Sequence, residues 1–257
     1  MKKTLIALAV AASAAVSGSA MAWEANGTGG SVNIGGSLTP AENITPWEVK
    51  TGAAVTGLDA DITKGQSVIN IAVDQAIPVL GIRTQTNQPF QGQPGISPQI
   101  DYGNAVNVDA FENGRAPVTL EVKDNTNAKI GTLTTSLGAS TLMSYKAPGY
   151  NGYNHRYADT AGQAFFGGLP KNAANAPDSN IAVNVFPDID AHFTYQDTEY
   201  KSVEPSVDFT NTEATYSAYY GAGVEKGKVI KITLDQAASG DAPIQWKASL
   251  PVTVSYQ

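Results

Sequence analysis

The residues best suited to chemistry in this sequence are its two histidines and the carboxylates beside one of them. Asp188 and Asp190 precede His192 at intervals of two residues, and His155 is the other histidine. If residues 187–193 were extended, both carboxylates and the imidazole would project from one face, a pattern that suits a metal site. Spacing alone does not establish coordination geometry. We therefore favour a solvated strand face, and we expect no metal and no cofactor.

Motifs that identify common enzymes are missing. The sequence contains no G-x-S-x-G elbow, P-loop, dinucleotide-binding glycine pattern, H-E-x-x-H motif or calcium-binding loop. The chain has no cysteine, which excludes thiol catalysis and thiolate metal sites. Carboxylates are numerous, but without geometry they identify no acid and base pair, so a periplasmic glycan-processing enzyme is poorly supported. We expect a protein that is not an enzyme.

The N-terminus has the features of an export signal. Lys2 and Lys3 precede an apolar run over residues 5–16, and Ala20-Met21-Ala22 matches a signal-peptidase site, which predicts a mature chain from Trp23. A membrane-spanning helix needs ~20 apolar residues, so this run is too short to be one. Without the two signal lysines the formal charge changes from −7 to −9. This charge disfavours nucleic acid and anionic lipid as partners.

Composition and periodicity predict an all-β protein. The 25 glycines and 14 prolines, together with many Thr, Val and Tyr, are typical of short antiparallel strands joined by tight turns. We expect an immunoglobulin-like sandwich rather than a parallel sheet, because no helices alternate with the strands. The predicted strands are Ser67–Val73, Val118–Lys123, Ile130–Leu137, Ile181–Phe186, Ala214–Tyr220, Val229–Leu234 and Ser249–Tyr256.

Turn-forming residues predict how some strands connect. One turn-forming run, Asp124-Asn125-Thr126-Asn127, lies between two alternating segments. A second, Glu225-Lys226-Gly227-Lys228, precedes a third alternating segment. Each run favours an antiparallel hairpin. Residues 145–180 interrupt the strands with glycines and prolines, and only 158–166 and 171–176 have weak helical patterns. We interpret residues 145–180 as an insertion on the sandwich. A segment of this length is usually functional.

The two ends of the chain alternate apolar and polar residues as strands do. Near the N-terminus, no turn follows Gly30 to Thr39 to fold this segment back onto a neighbouring strand. We therefore expect it to pair with another chain, as a donor strand does. Its inward positions are Gly30, Val32, Ile34, Gly36 and Leu38. At the C-terminus the positions on one face include Leu250, Val252, Val254 and Tyr256. The glycines would let a donor backbone approach closely, although a flexible linker remains an alternative for residues 27–37.

These residues carry a family resemblance. The sequence resembles the kappa-class fimbrial subunits of the chaperone-usher pathway in three places: the signal with Trp23, the Gly-Ser-Val-Asn-Ile-Gly-Gly-Ser-Leu segment at residues 30–38, and Ile77-Pro78-Val79-Leu80-Gly81. Tyr219-Tyr220-Gly221-Ala222-Gly223-Val224, Gln245-Trp246 and residues 250–256 are also similar to that family. Residues 145–180 match least.

The resemblance implies an incomplete immunoglobulin-like domain that is completed by donor-strand exchange. It implies a signal peptide over residues 1–22, a donor extension over 23–41 and a pilin domain over 42–257. It also implies export through the periplasm to a fimbrium on the cell surface. The implied partners are other fimbrial subunits, a periplasmic chaperone that binds the C-terminal strand, and an outer-membrane usher. Whether the chain is a major or a minor subunit stays open.

Aromatic residues in the insertion suggest a recognition surface. Rigid aromatic rings with polar edges suit sugar or protein recognition, and the family resemblance places receptor binding in inserted loops. The residues in this surface are Tyr150, Tyr153, His155, Arg156 and Tyr157. A host glycan would then be a further partner; the alternative is that these residues only cover the sandwich edge.

A different class of protein shares several of these features. An outer-membrane β-barrel or pore would also have an export signal, acidic charge and alternating strands. Thr119, Glu121 and Lys123 oppose that interpretation, because such polar side chains would not face lipid. The intervals between strands are also irregular. We therefore expect a structural and adhesive fibre subunit.

Overall fold

A computed structural model describes residues 34–37, 44–177, 179–240 and 242–257 of the chain. The chain divides into two units, Met1–Ala41 and Glu42–Gln257. In the second unit, the strands are β1 (Trp47–Thr51), β2 (Val68–Ala72), β3 (Ile77–Thr84), β4 (Phe90–Gln91), β5 (Pro98–Asp101), β6 (Arg115–Lys123), β7 (Lys129–Ala147), β8 (Tyr150–Asn154), β9 (Arg156–Tyr157), β10 (Glu204–Pro205), β11 (Thr215–Val224), β12 (Val229–Leu234) and β13 (Thr253–Tyr256). The helical elements are α1 (Ile181–Val185) and short 3₁₀ turns at Val108–Ala110 and Ala173–Asn175.

The long strand β7 organises the main sheet. It has 19 residues; its first half pairs with β6 and β12, and its second half pairs with β11 and β8. The resulting nine-stranded sheet runs in the order β1-β3-β11-β7-β12-β2, with β4, β6 and β8 attached to it. β5 and β13 form a separate antiparallel pair. The protein is therefore an all-β sandwich, as the composition predicts.

An aromatic cluster in the core surrounds Trp47 at the start of β1. The ring of Trp47 lies 5.0 Å from Phe90, 5.7 Å from Phe165 and 5.5 Å from Phe209. The indole N–H of Trp47 also donates a 2.6 Å hydrogen bond to the carbonyl of Ile96. Phe165 and Phe209 are fully buried although their φ angles of 63° and 59° are uncommon for bulky residues. Burial of the Trp47 indole in this cluster is favourable, and it holds the start of β1 against the core.

The segment at residues 181–186 is a helix and not the predicted strand. α1 lies on the outer face of the main sheet, where Ala182, Val185 and Phe186 pack against Leu142 and Tyr219. The sheet carries glycine at the points of closest approach. A Cβ atom on Gly221 would lie 2.8 Å from the Cβ of Ala182, and one on Gly81 would lie 3.0 Å from the Ile189 side chain. The prediction failed because an apolar run of this length does not distinguish a buried strand from a short helix.

The two predicted hairpins have different outcomes. β6 and β7 form the predicted hairpin, and the Asp124 carboxylate accepts hydrogen bonds from the backbone of Thr126 and Ala128 within the turn. The turn at residues 225–228 also exists, with the Lys228 N–H donating to the Glu225 carbonyl. However, β11 and β12 do not pair with each other, because both lie antiparallel to β7 along its length. The second hairpin prediction is therefore wrong.

The predicted insertion is partly built into the sheet. Residues 145–147 end β7, and β8 returns antiparallel beside it. Residues 158–166 form turns without a helix, while the other weak helical pattern contains the 3₁₀ turn Ala173–Asn175. Among the described residues, no helix is long and apolar enough to cross a bilayer.

Candidate functional site: the open edge of the C-terminal strand

The C-terminal segment at residues 246–257 is buried along one face. Every even-numbered residue from Trp246 to Tyr256 is partly buried, and every odd-numbered residue from Lys247 to Gln257 is exposed. The partly buried side chains contact two core clusters, Trp246 and Ala248 in one and residues 250–256 in the other. This burial follows the alternation that the sequence predicts, although only Thr253–Tyr256 is a paired strand.

One edge of this segment is paired at both ends. Gln257 and Ser97 exchange two backbone hydrogen bonds of 3.0 and 3.1 Å, and Lys247 and Lys123 exchange two of 2.9 Å. In an extended strand the N–H and C=O of successive residues point to opposite edges. The odd-numbered backbone groups therefore face β5 and the end of β6.

The other edge of the segment is open in the part of the chain that the structure describes. By the same alternation, the backbone groups of the even-numbered residues face away from β5, and no backbone hydrogen bond joins them to a described residue. Pro251, which lacks an N–H, is odd-numbered and faces the paired side. The open edge therefore presents N–H and C=O groups at Ala248, Leu250, Val252, Val254 and Tyr256 without interruption.

A second segment near the same core lacks strand pairing. Residues 53–62 belong to no strand, and no backbone hydrogen bond joins them to another described residue. Leu58 and Ile62 are partly buried and pack on the cluster that Trp246 and Ala248 also contact. Half-buried apolar side chains next to unpaired backbone are the features of an incomplete sheet edge.

The predicted donor segment is described only at residues 34–37. Ile34 is 95% exposed, and Ser37 is also exposed. A Cβ atom on Gly36 would meet no atom of the described residues within 4 Å. Gly30, Val32 and Leu38 lie outside the described residues.

The predicted recognition residues divide into two environments. The ring of Tyr150 is half exposed, stacks on Tyr145 at 4.4 Å and donates a 2.8 Å hydrogen bond to the Glu204 carboxylate. The Arg156 side chain is only 1% exposed, donates to Glu204 at 3.2 Å and to the Pro205 carbonyl at 2.9 Å, and lies 4.7 Å from the Tyr145 ring centre. Arg156 therefore supports Tyr145 and Glu204 from the buried side and does not face solvent.

Tyr153 belongs to an exposed aromatic group that the sequence does not reveal. Its ring makes edge-to-face contacts with Tyr195 at 4.7 Å and with Tyr200 at 5.5 Å, and both partners are about half exposed, at 52% and 53%. Backbone hydrogen bonds from Tyr153 to Glu199 and from Lys201 to Tyr153 bring these distant segments together. No sequence motif marks Tyr195 and Tyr200, because Tyr200 reaches Tyr153 through a β-bridge and Tyr195 through a ring contact, both between distant segments.

The remaining predicted residues, His155 and Tyr157, are partly buried. The Nδ1 atom of His155 lies 2.7 Å from the Thr141 carbonyl oxygen, to which it donates. Burial lowers the pKa of His155 below its usual 6.5, which keeps the ring neutral near pH 7. Tyr157 accepts a backbone hydrogen bond from Ser206, and this bond fixes β9 beside β10.

The candidate metal residues lie in turns rather than on a strand. Asp188 pairs with Lys50 at 3.4 Å and with Arg83, while His192 Nδ1 lies 2.8 Å from the Thr84 carbonyl and 3.3 Å from Glu48. Residues 187–192 form turns, so the shared face that the metal hypothesis required is not formed. Within the described ranges, no three His, Asp or Glu side chains are grouped to hold an ion.

An all-β sandwich with an open apolar strand edge is typical of structural proteins that associate with other chains. The model of the family described as "Fimbrial, major and minor subunit" matches residues 1–257, and the chain belongs to that family. It is 32% identical to the K88 fimbrial protein AB of Escherichia coli and 30% identical to K88 fimbrial protein AC, with 100% of each chain covered. The K88 minor fimbrial subunit FaeI of Escherichia coli is 26% identical, over 92% of this chain and 93% of its own.

Family membership gives the general function. Fimbrial subunits build surface fimbriae, so other fimbrial subunits are partners of this chain. The family is structural and not enzymatic, in agreement with the prediction from the sequence.

Proposed function

We propose that this fimbrial subunit assembles by donor-strand exchange. The N-terminal segment at residues 30–38 of one subunit adds to the open edge of residues 248–256 of the next. The observation that supports this most strongly is the uninterrupted row of outward N–H and C=O groups along a half-buried apolar segment. A strand that joins this edge gains ladder hydrogen bonds and covers the exposed sides of the apolar residues.

Donor and acceptor match in number and period. The donor presents Gly30, Val32, Ile34, Gly36 and Leu38 on one face, and the acceptor edge has the same number of partly buried positions from Ala248 to Tyr256. Burial of each large donor side chain contributes ~1.5 to 3 kcal/mol. Each ladder hydrogen bond adds ~0.5 to 1.5 kcal/mol. Together these contributions support a long-lived joint.

The geometry of this joint explains fibre formation and the need for assembly factors. Donor and acceptor are different surfaces of the same chain, so the contact is head-to-tail and extends into a filament when its rotation does not close a ring. Before assembly, the open edge would promote aggregation. A periplasmic chaperone that covers residues 250–256 would prevent this, and an outer-membrane usher would exchange it for the donor strand during export to the surface.

Chaperone dependence tests this proposal. The mature chain is expressed in the periplasm with and without its chaperone, and the folded product is measured by protease resistance. We expect folded chain only with the chaperone, in a complex of the two proteins. Recovery of a stable folded monomer without the chaperone would contradict the proposal.

A second function, adhesion to host glycoconjugates, is supported by the exposed tyrosines. Tyr150 and Tyr153 lie on β8, which pairs with β7, and the ring of Tyr150 is half exposed. Arg156 is buried and acts as a support for this surface. The test is to replace Tyr150, Tyr153 and Tyr157 together and to measure the binding of assembled fibres to host glycoconjugates. Unchanged binding would exclude this surface.

A further inference from the structure

The strand β5, which supports the proposed acceptor strand β13, is paired along both of its edges. On one edge it forms the antiparallel ladder with β13. On the other edge, the Phe165 N–H donates a 2.7 Å hydrogen bond to the Pro98 carbonyl. The Ile100 N–H donates one of 2.8 Å to the Phe166 carbonyl. β13, β5 and residues 165–166 therefore form one small sheet, and the acceptor edge is the outer edge of this sheet.

The side chain of Gln99 fixes β5 to the loop that precedes Phe165. Gln99 is only 8% exposed. Its Nε2 atom donates 3.0 Å to the Gln163 carbonyl, and its Oε1 atom accepts 3.0 Å from the Gly162 N–H. The Ser97 hydroxyl adds a 2.7 Å hydrogen bond to the Gly162 carbonyl. Both ends of the Gln99 amide thus hold residues 160–168 against β5.

Residues 160–168 also pack closely on β5. Gly167 has a φ angle of 82°, and a Cβ atom there would lie 2.0 Å from the Ile100 carbonyl oxygen. Phe165 has a φ angle of 63°, yet its side chain is fully buried and stacks on Tyr220 at 5.5 Å. Such backbone conformations persist only where the surrounding structure determines them. The core therefore fixes the position of residues 160–168 on β5.

This arrangement bears on assembly because β5 is the strand that pairs with β13 in the described part of the chain. Any contact that holds β5 also holds β13 in the extended conformation that a donor strand must meet. A binding surface that is ordered in advance loses less conformational entropy when it binds. The coupling is reciprocal, so a donor that binds the extended β13 also stabilises β5 and the residues that hold it.

We propose that residues 160–168 brace the acceptor strand, with Gln99 as the positioning residue. Residues 160–168, β5 and β13 then open and close as one unit with the donor joint. The inference rests on the donor-strand exchange proposed above, and it gives this part of the predicted insertion a role in assembly. Two strands separate residues 160–168 from the donor, so an effect of the donor on them passes through β13 and β5.

Hydrogen exchange of assembled fibres, measured by mass spectrometry, tests the proposal. In the Gln99→Ala variant the bonds to residues 162 and 163 are lost. We expect amide exchange to accelerate about tenfold in residues 160–168 and also in β13, the effect of losing two ordinary hydrogen bonds. Gln196→Ala is the matched control, because the Gln196 amide also bonds at both ends, to Ser144 and Thr215 on other strands. This control should leave exchange in β13 unchanged.

A donor substitution tests the coupling from the opposite direction. Ile34→Val removes one methylene group from the donor and leaves β5, β13 and residues 160–168 unchanged. In fibres of this variant we expect exchange in residues 160–168 to accelerate about two- to tenfold. A role of Gln99 confined to local folding would leave these residues insensitive to the donor. Ser37→Ala, on the opposite face of the donor segment, is the control.

The outcomes separate this inference from the proposed function. If Gln99→Ala accelerates exchange in residues 160–168 but not in β13, the brace is wrong and donor-strand exchange is unaffected. If Ile34→Val accelerates exchange in β13 alone, the coupling is likewise refuted while the donor joint stands. If Ile34→Val changes exchange in neither segment, the donor joint itself fails, and the brace fails with it. Should Gln99→Ala yield no fibres, Ser97→Ala takes its place, with the same two segments compared.

Discussion

Substitution of Ile34 by Asp separates folding of a subunit from its assembly. Ile34 is 95% exposed in the chain, so its replacement removes nothing from the described core. In a donor joint the same side chain would be buried, and its loss would remove ~1.5 to 3 kcal/mol. At ~1.4 kcal/mol per factor of ten, this alone weakens the joint about ten- to hundredfold. Burial of a carboxylate adds a further cost, because the group must be desolvated or protonated.

The assay compares two quantities in the same cells. The chaperone-bound subunit in the periplasm is expected to reach the wild-type level in the Ile34→Asp variant, because the acceptor edge at residues 248–256 is unchanged. The polymer recovered from the cell surface is expected to fall at least tenfold, in line with the weakening estimated above. Ser37→Asp is the control, since Ser37 is exposed and lies on the opposite face of the segment. Wild-type polymer levels in the Ile34→Asp variant would refute the donor role of this segment.

Two further predictions concern the stability of the completed subunit. Gly221→Ala should destabilise it by about 1 to 3 kcal/mol in denaturant unfolding, because the new Cβ would lie 2.8 Å from that of Ala182. Gly240→Ala is the control, because among the described residues its Cβ would have no neighbour closer than 3.9 Å, and it should change stability little. The pKa of His155 is lowered from 6.5 by burial, so the unfolded chain binds its proton more readily, and stability should fall as the pH drops below 6.5 by up to about 1.4 kcal/mol per pH unit. His155→Gln should remove this part of the pH dependence of stability, and His192→Gln should leave it in place. If stability changed with pH equally steeply in both variants, His155 would not be its source.

Alternation predicts strands well where one face of a strand meets the core and the other meets water. Val118 and Val122 are buried and Thr119 and Glu121 are exposed, so β6 and its hairpin are visible in the sequence. The C-terminal segment alternates in the same way. In both places successive side chains face the core and the solvent in turn, which is the two-residue period that the prediction of strands from alternation assumes.

The same rule fails where both faces of the sheet are covered. β7 continues ten residues beyond the predicted end at Leu137, and from Leu137 to Tyr145 every residue is buried. β3 is absent from the predicted strands for the same reason. α1 covers the outer face at Gly221, and Phe186 and Ile189 after it cover Gly81, so small and apolar residues replace the polar half of the pattern there. Alternation therefore detects half-buried strands, whereas among the fully buried ones it finds β11 only as far as Tyr220 and misses the second half of β7.

The candidate site is only partly visible in the sequence. The alternation of residues 248–256 predicts which side chains face the core, but not which backbone edge is unpaired, because that depends on the bonds of Lys247 and Gln257 to distant strands. In the recognition surface, residues 150–157 are clustered along the chain. Tyr200 joins them only through its β-bridge to Tyr153. Burial of Arg156 depends on Glu204 and Pro205, which are equally distant in sequence.

Engineered cysteines test donor-strand exchange most directly. The natural chain has no cysteine, so Ile34→Cys combined in turn with Leu250→Cys, Val252→Cys or Val254→Cys introduces a single pair of thiols in an oxidising compartment. Cross-strand neighbours on one face lie close enough for a disulfide. The account predicts a ladder of covalent multimers on non-reducing gels for at least one pair, with monomer restored by reduction. A disulfide confined to the monomer, or a chain that remains reduced in assembled fibres with every pair, would contradict it.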